Sequence, residues 1–132
     1  EADVVVLPPS NPVVSIGTIL AIPGVRDALR ATPAPVVGVS PVVGAAPVRG
    51  MADACLAAIG VETSASGVAR HYGRRADGGV LDAWLVDEVD ADAVPGLVAD
   101  GWAAASAPTL MSDVPATAAI AAEALALVDR LP

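Results

Sequence analysis

Residues 35–60 read PVVGVSPVVGAAPVRGMADACLAAIG. Val36, Val37 and Val39 form a short apolar run, interrupted by Gly38 and closed by Ser40-Pro41. A run without polar alternation is the pattern of a strand buried on both faces. Met51, Ala54, Cys55, Ala58 and Ile59 then recur at helical spacing, and Gly60 ends the pattern. Between the two lie the eleven residues Ser40–Gly50. A strand, a long crossover and a helix make the first part of a βαβ unit, the connection that parallel strands require.

The same alternation extends in both directions. Upstream, Val4-Val5-Val6-Leu7 is a second all-apolar run, followed by the proline-rich stretch LPPSNPVVSIGTILAIPG at residues 7–24. Val25, Ala28 and Leu29 fall at helical spacing, Pro23 suits the first turn, and Thr32-Pro33 stops the helix. Downstream, Ser66 to Tyr72 reads as a short helix capped by Ser66, and 74–79 as a turn. Val80 to Val86 is a third strand. Asp90 or Asp92 opens a helix carrying Val94, Leu97 and Val98. Trp102 to Ala105 is a fourth, weaker strand. Pro115 to Leu131 is a final helix with Ile120, Ala124, Leu127, Val128 and Leu131 on one face. Strand and helix thus alternate four times. This predicts an α/β fold with a parallel sheet, strands near 3–7, 36–40, 80–86 and 102–105, and helices on both faces. Glu1-Ala2-Asp3 leads straight into a strand with no initiator Met. The expectation is a piece of a larger doubly wound domain, exposing an apolar surface where the remainder docks.

Composition narrows the function. The chain has 132 residues, no Phe, two Trp and one Tyr, so the core is built from Val, Ala, Leu and Ile. Its formal charge is −8 and all seven basic residues are Arg. A nucleic-acid duplex is a poor partner for so acidic a chain, because phosphates need a basic face. Cys55 is the lone cysteine, which excludes an internal disulfide and fits a reducing, cytoplasmic setting. No run approaches the ~18 apolar residues of a membrane span, and no signal-peptide pattern is present.

In open parallel sheets, ligands bind beyond the carboxyl ends of the strands. Four loops leave those ends: Pro8–Gly17, Ser40–Gly50, Asp87–Asp90 and Ser106–Asp113. In the first, Asn11-Pro12 and Ser15-Ile16-Gly17-Thr18 look like a helix entry. Unpaired N–H groups there suit phosphate. Ser10, Asn11, Ser15 and Thr18 add side-chain donors, and Gly17 allows close backbone approach. Ordinary capping is the competing reading. Arg49 is the only charge in the second loop, and a guanidinium binds phosphate in a bidentate way; a solvated surface Arg is the alternative. Asp87, Glu88, Asp90 and Asp92 form an acidic run. It suits Mg²⁺, though capping and a solvated acidic face are favoured. Thr109, Ser112 and Asp113 could cap the last helix or touch a ligand, and capping is the favoured reading. His71, the only histidine, has no partner at metal-ligand spacing, which excludes zinc. Cys55 reads as core. Neither dinucleotide and P-loop glycine motifs nor a nucleophile elbow is present.

Three elements occur together and in order: SNPVVSIG at 10–17, SPVVGAAPVRG at 40–50 and SASGVAR at 64–70. With them, nearly the whole chain resembles the carboxyl half of the 2-phospho-L-lactate transferases of coenzyme F-420 biosynthesis, whose bacterial members are described as phosphoenolpyruvate transferases. The resemblance implies a Rossmann-like core, a homodimer and a Mg²⁺ requirement. It also implies transfer of a phospholactyl or phosphoenolpyruvyl group from a guanosine-diphosphate-activated donor to the deazaflavin alcohol Fo. The Fo hydroxyl attacks phosphorus in line and GMP leaves.

On that reading, Ser10, Asn11, Ser15, Ile16, Gly17 and Arg49 bind substrate. The metal ligands and any catalytic base lie outside this segment, which alone is inactive. The segment departs from the family where a TDTLM-like element stands as SAPTLM at 106–111. A related family of sugar-nucleotide-binding regulators shares the fold and supplies a non-catalytic alternative.

Overall fold

The computed structural model describes residues 2–131. In chain order these form β1 (Val5–Leu7), α1 (Ile16–Leu20), α2 (Val25–Ala31) and β2 (Val36–Val39). A small hairpin of β3 (Val42–Val43) and β4 (Ala46–Pro47) follows, then α3 (Ala52–Ala58) and α4 (Ala65–Tyr72). The chain continues with β5 (Ala83–Asp87), α5 (Val94–Ala99), β6 (Ala103–Ala107) and α6 (Val114–Val128). Short 3-10 turns occupy Arg75–Asp77 and Glu88–Ala93.

β1, β2, β5 and β6 lie side by side in that order, all parallel. The period of two along each strand sorts side chains into two cores. On one face Leu7, Val36, Trp84 and Val86 pack with Leu20, Leu56, Val68, Tyr72 and Leu97 from helices and loops. On the other, Val37, Val39, Ala83 and Leu85 meet Ile120, Ala124 and Leu127 of α6. The result is the expected Rossmann-like α/β arrangement with helices on both faces. Gly38 has a packing reason: a Cβ there would stand 2.7 Å from Trp84 Cζ3.

Several boundaries differ from the sequence expectation. The third strand begins at Ala83, three residues late. Val80 and Leu81 are fully buried, yet their amides turn back to the Gly73 carbonyl. The fourth strand is shifted to 103–107 and pairs with β5 along its whole length. The loop 40–50 is not irregular throughout, because the β3–β4 hairpin fills its middle. The carboxylate that starts the 88–93 turn is Asp87, accepting from Val89 N at 3.0 Å, rather than Asp90 or Asp92.

The face of α3 is also different. Ala52 and Leu56 are its buried residues, while Met51, Ala54, Ala58 and Ile59 face outward and Cys55 is half-buried. With small residues on every side, an alanine-rich helix gives its pattern little phase. Apolar side chains are exposed around α1 (Val14, Ile19, Ile22) and α3 (Val48, Met51, Ile59), each 47–68 % accessible.

α4 is capped by Ser64, not Ser66. Ser64 is extended, and its hydroxyl accepts from Gly67 N at 3.0 Å. Ser64→Ala is expected to lower stability by about 1 kcal/mol in denaturant unfolding, whereas Ser66→Ala, inside the helix, changes it by no more than a few tenths.

Candidate functional site

The loops that leave the carboxyl ends of the sheet enclose a cleft of about 410 Å³. Pro9 and Asn11 reach it from the loop after β1. Ser40, Pro41, Val43, Val48 and Arg49 border it from the segment after β2. Thr109 to Ser112, after β6, form the facing wall. Its surface is mostly apolar with a few polar groups, the usual character of a small-molecule site.

Asn11 organises the first loop. Its Oδ1 accepts from Val13 N at 2.9 Å and Val14 N at 3.1 Å. Its carbonyl accepts from Ser15 N and Ile16 N. The amides of residues 13–16 are thus engaged by Asn11 itself, so the anticipated fan of unpaired amides is not formed there. The Asn11 side-chain nitrogen lies 3.6 Å from Cys55 Sγ and at the cleft. Ser15 is exposed, Ser10 and Gly17 are half-buried, and Ile16 belongs to the core. Gly17 makes room within the chain, since a Cβ would meet the Pro12 carbonyl oxygen at 2.7 Å.

Of the six residues singled out from sequence, the cleft brings together Asn11 and Arg49; the other four do not line it. Arg49 is exposed and takes part in none of the four ion pairs among the described residues. A guanidinium without a carboxylate partner at a concave surface is suited to a phosphate. Of the other polar residues at the cleft, Thr109 and Ser112 were read from sequence as caps ahead of ligand contacts, and Ser40 was not singled out. Ser40 and Thr109 are buried and spoken for. The Ser40 hydroxyl donates to Val42 O at 2.9 Å, and Thr109 bonds Asp87. Ser112 is exposed. Asp113 caps α6, accepting from Ala116 N at 2.8 Å.

The acidic run serves the backbone. Asp87 Oδ2 accepts from both the amide and the hydroxyl of Thr109, each at 2.8 Å. Burial works against ionisation of Asp87, but the bonds from Val89 and Thr109 outweigh it and hold the carboxyl below its ordinary range. Asp90 Oδ2 accepts from Gly44 N at 2.9 Å. Burial raises its pKa; the Gly44 bond opposes this and the Asp87 charge adds to it.

No three His, Cys, Asp or Glu among the described residues are grouped to hold a metal ion. Both Asp87 oxygens already accept hydrogen bonds. The donor set of the described residues therefore does not fit a magnesium centre. His71 lies outside the cleft, its pKa lowered by burial and by the nearby Arg26 charge. A second cavity, of about 690 Å³, lies at the amino ends of the strands beside Trp102. Its charges are internally matched. Arg75 Nε donates to Asp82 at 2.8 Å and Arg75 Nη1 to the carbonyls of Leu29 and Thr32, while Arg74 pairs with Asp77 and the Gly101 carbonyl. Among the described residues no helix is long and apolar enough to cross a membrane.

The sheet is that of a parallel α/β domain, and the arginine-bearing cleft lies beyond its strand ends, where such domains commonly place their ligand sites. A family profile described as 2-phospho-L-lactate transferase CofD matches residues 1–113, and the chain belongs to that family. The phosphoenolpyruvate transferase of Streptomyces griseus is 59 % identical over 131 residues, covering 99 % of this chain and 40 % of that protein. That of Streptomyces coelicolor is 58 % identical with the same coverage. That of Mycobacterium avium is 51 % identical over 132 residues, covering 100 % of this chain and 38 % of its own length. The chain thus spans about 40 % of the length of these curated relatives.

Proposed function

We propose that this chain is the donor-binding portion of an enzyme transferring a phosphoenolpyruvyl or phospholactyl group in coenzyme F-420 biosynthesis. The donor is guanosine-diphosphate-activated, the acceptor is the hydroxyl of Fo, and GMP is the leaving group. The convergence of Arg49 and Asn11 on one cleft at the strand ends carries this reading. Family membership supplies the reaction class. Arg49 binds a phosphate of the donor as a fork of donors, and the Asn11 side-chain amide adds a hydrogen bond. Ser10, Ser15, Ile16 and Gly17 frame the loop that presents Asn11. A positively charged group already in place stabilises charge on the phosphoryl oxygens during in-line displacement. Mg²⁺ and the acceptor base are assigned to parts of the protein outside this chain, and assembly as a homodimer is part of the same proposal.

Calorimetric titration of the complete gene product with guanosine diphosphate tests the reading. Arg49→Ala is expected to weaken binding by about 1–3 kcal/mol with no change in thermal midpoint, because Arg49 is exposed and makes no ion pair among the described residues. Asn11→Ala is expected to weaken binding similarly and also to cost about 1 kcal/mol of stability, since it caps the turn at residues 11–14. Wild-type affinity in both variants would sink the assignment of this cleft. Binding of a uridine-linked sugar in place of guanosine diphosphate would point to a sugar-nucleotide regulator.

A further inference from the structure

The acidic segment Asp87–Asp90 lies behind the cleft rather than in it, and its two aspartates reach in different directions. Asp87 holds Thr109, the first residue of one wall, through two hydrogen bonds to a single carboxylate oxygen. Asp90 holds Gly44, at the tip of the β3–β4 hairpin that leads to Arg49. Neither aspartate lines the cleft. Beyond Thr109, Leu110 and Met111 line it while remaining 50 % and 52 % exposed. That wall has little packing of its own to fix it. Gly44 has φ +66°, so the hairpin tip is a glycine-specific turn whose amide is aimed at Asp90.

We infer that Asp87 and Asp90 are positioning residues: one acidic segment clasps both walls of the cleft and sets the distance between Arg49 and the 109–112 segment. The clasp rests on the proposed use of this cleft only for its consequence in binding; the clasp itself is a statement about the two walls. The chemistry separates the two arms. Asp87 accepts three hydrogens on two oxygens, and an asparagine, with one acceptor oxygen and an NH₂ group, cannot replace it. Asp90 accepts a single amide hydrogen, which an asparagine oxygen accepts equally well.

The test is amide hydrogen exchange on the complete gene product, paired with guanosine diphosphate titration. Asp90→Ala is expected to speed exchange at Gly44 by at least about tenfold, and Asp90→Asn to restore protection. Thr109→Val and Asp87→Asn are expected to speed exchange over 109–112, with Thr109→Ser restoring it. If Asp87→Asn does not fold, Thr109→Val and Asp90→Ala still report on both arms. Affinity for guanosine diphosphate is expected to fall about tenfold in Asp90→Ala and Thr109→Val and to recover in Asp90→Asn and Thr109→Ser. Unchanged exchange at Gly44 and Thr109 would overturn the clasp. Faster exchange with wild-type affinity would overturn its control over the spacing of Arg49 and the 109–112 segment. Absence of guanosine diphosphate binding by the wild-type protein would defeat the functional reading instead, and the exchange data alone would then decide the clasp.

Discussion

Replacing Trp84 by alanine is expected to remove about 3–5 kcal/mol of folding stability, the largest loss from any single side chain here. Trp84 is fully buried at the centre of the sheet and is the largest side chain so enclosed. Its ring stands over Gly38 on β2 and meets Tyr72 edge-on, with centroids 6.0 Å apart and planes at 62°. Its Nε1 donates to Ala65 O at 3.1 Å, which ties the start of α4 to the sheet. The chain has no Phe, and Tyr72 alone is too small to fill the space its neighbour would leave. Domains of this size have only about 5–15 kcal/mol in total, and the variant should unfold at far lower urea or not fold. Trp84→Phe keeps most of the packing but strips the Ala65 carbonyl of its donor, and should lose roughly 1–3 kcal/mol. A Trp84→Ala loss below about 1.5 kcal/mol would mean that the two helices beside it close the gap.

Asp87→Ala is expected to lose about 2–4 kcal/mol at neutral pH, because the buried Thr109 amide and hydroxyl would both lose a charged acceptor. The loss should depend on pH. Folding lowers the Asp87 pKa from its ordinary value of 3.8, so on acidification the unfolded chain takes up a proton first. The stabilisation is complete well above 3.8 and disappears as the pH falls through the lower native value. Wild type and Asp87→Ala should therefore converge in strong acid. Asp90 has the opposite sign. Folding raises its pKa, so its ionisation opposes folding as pH rises through that value. Asp90→Asn should keep the Gly44 bond and leave stability at neutral pH equal or slightly higher. Unfolding free energies for the three proteins across acid pH check both signs.

Strand and helix order was legible because the apolar runs are short and bounded by punctuation. Val36–Val39 sits between Pro35 and Ser40-Pro41, and the strand follows it residue for residue. Val80-Leu81 misled because a buried apolar pair carries no mark of whether its amides enter a ladder; here they turn back to Gly73. The phase of α3 was hidden by alanine on every side of the helix. At the cleft, Asn11 and Arg49 were visible as polar residues in loops at strand ends. The facing wall was visible only as one more strand-end loop with capping favoured, because Thr109 is almost a hundred residues from Asn11 and its pairing with Asp87 is a product of β5 lying beside β6. Only the general rule that strand-end loops converge pointed to it. The acidic run read as capping plus a solvated face; Asp87 does cap the 88–93 turn, but nothing in a string of carboxylates marks those that also accept amides from other loops.

The pairing of Tyr72 with Trp84 has an optical consequence. Tyr72 is the only tyrosine, and Trp84 and Trp102 are the only indoles. At 6.0 Å between rings, excitation absorbed by Tyr72 passes to Trp84, so separation of α4 from the sheet would restore tyrosine emission. Trp102 lies instead beside the amino-end cavity and is 6 % exposed. Its emission follows water entering from the side opposite the cleft. Both indoles belong to one core, so the two signals report from its inner and outer parts without any label.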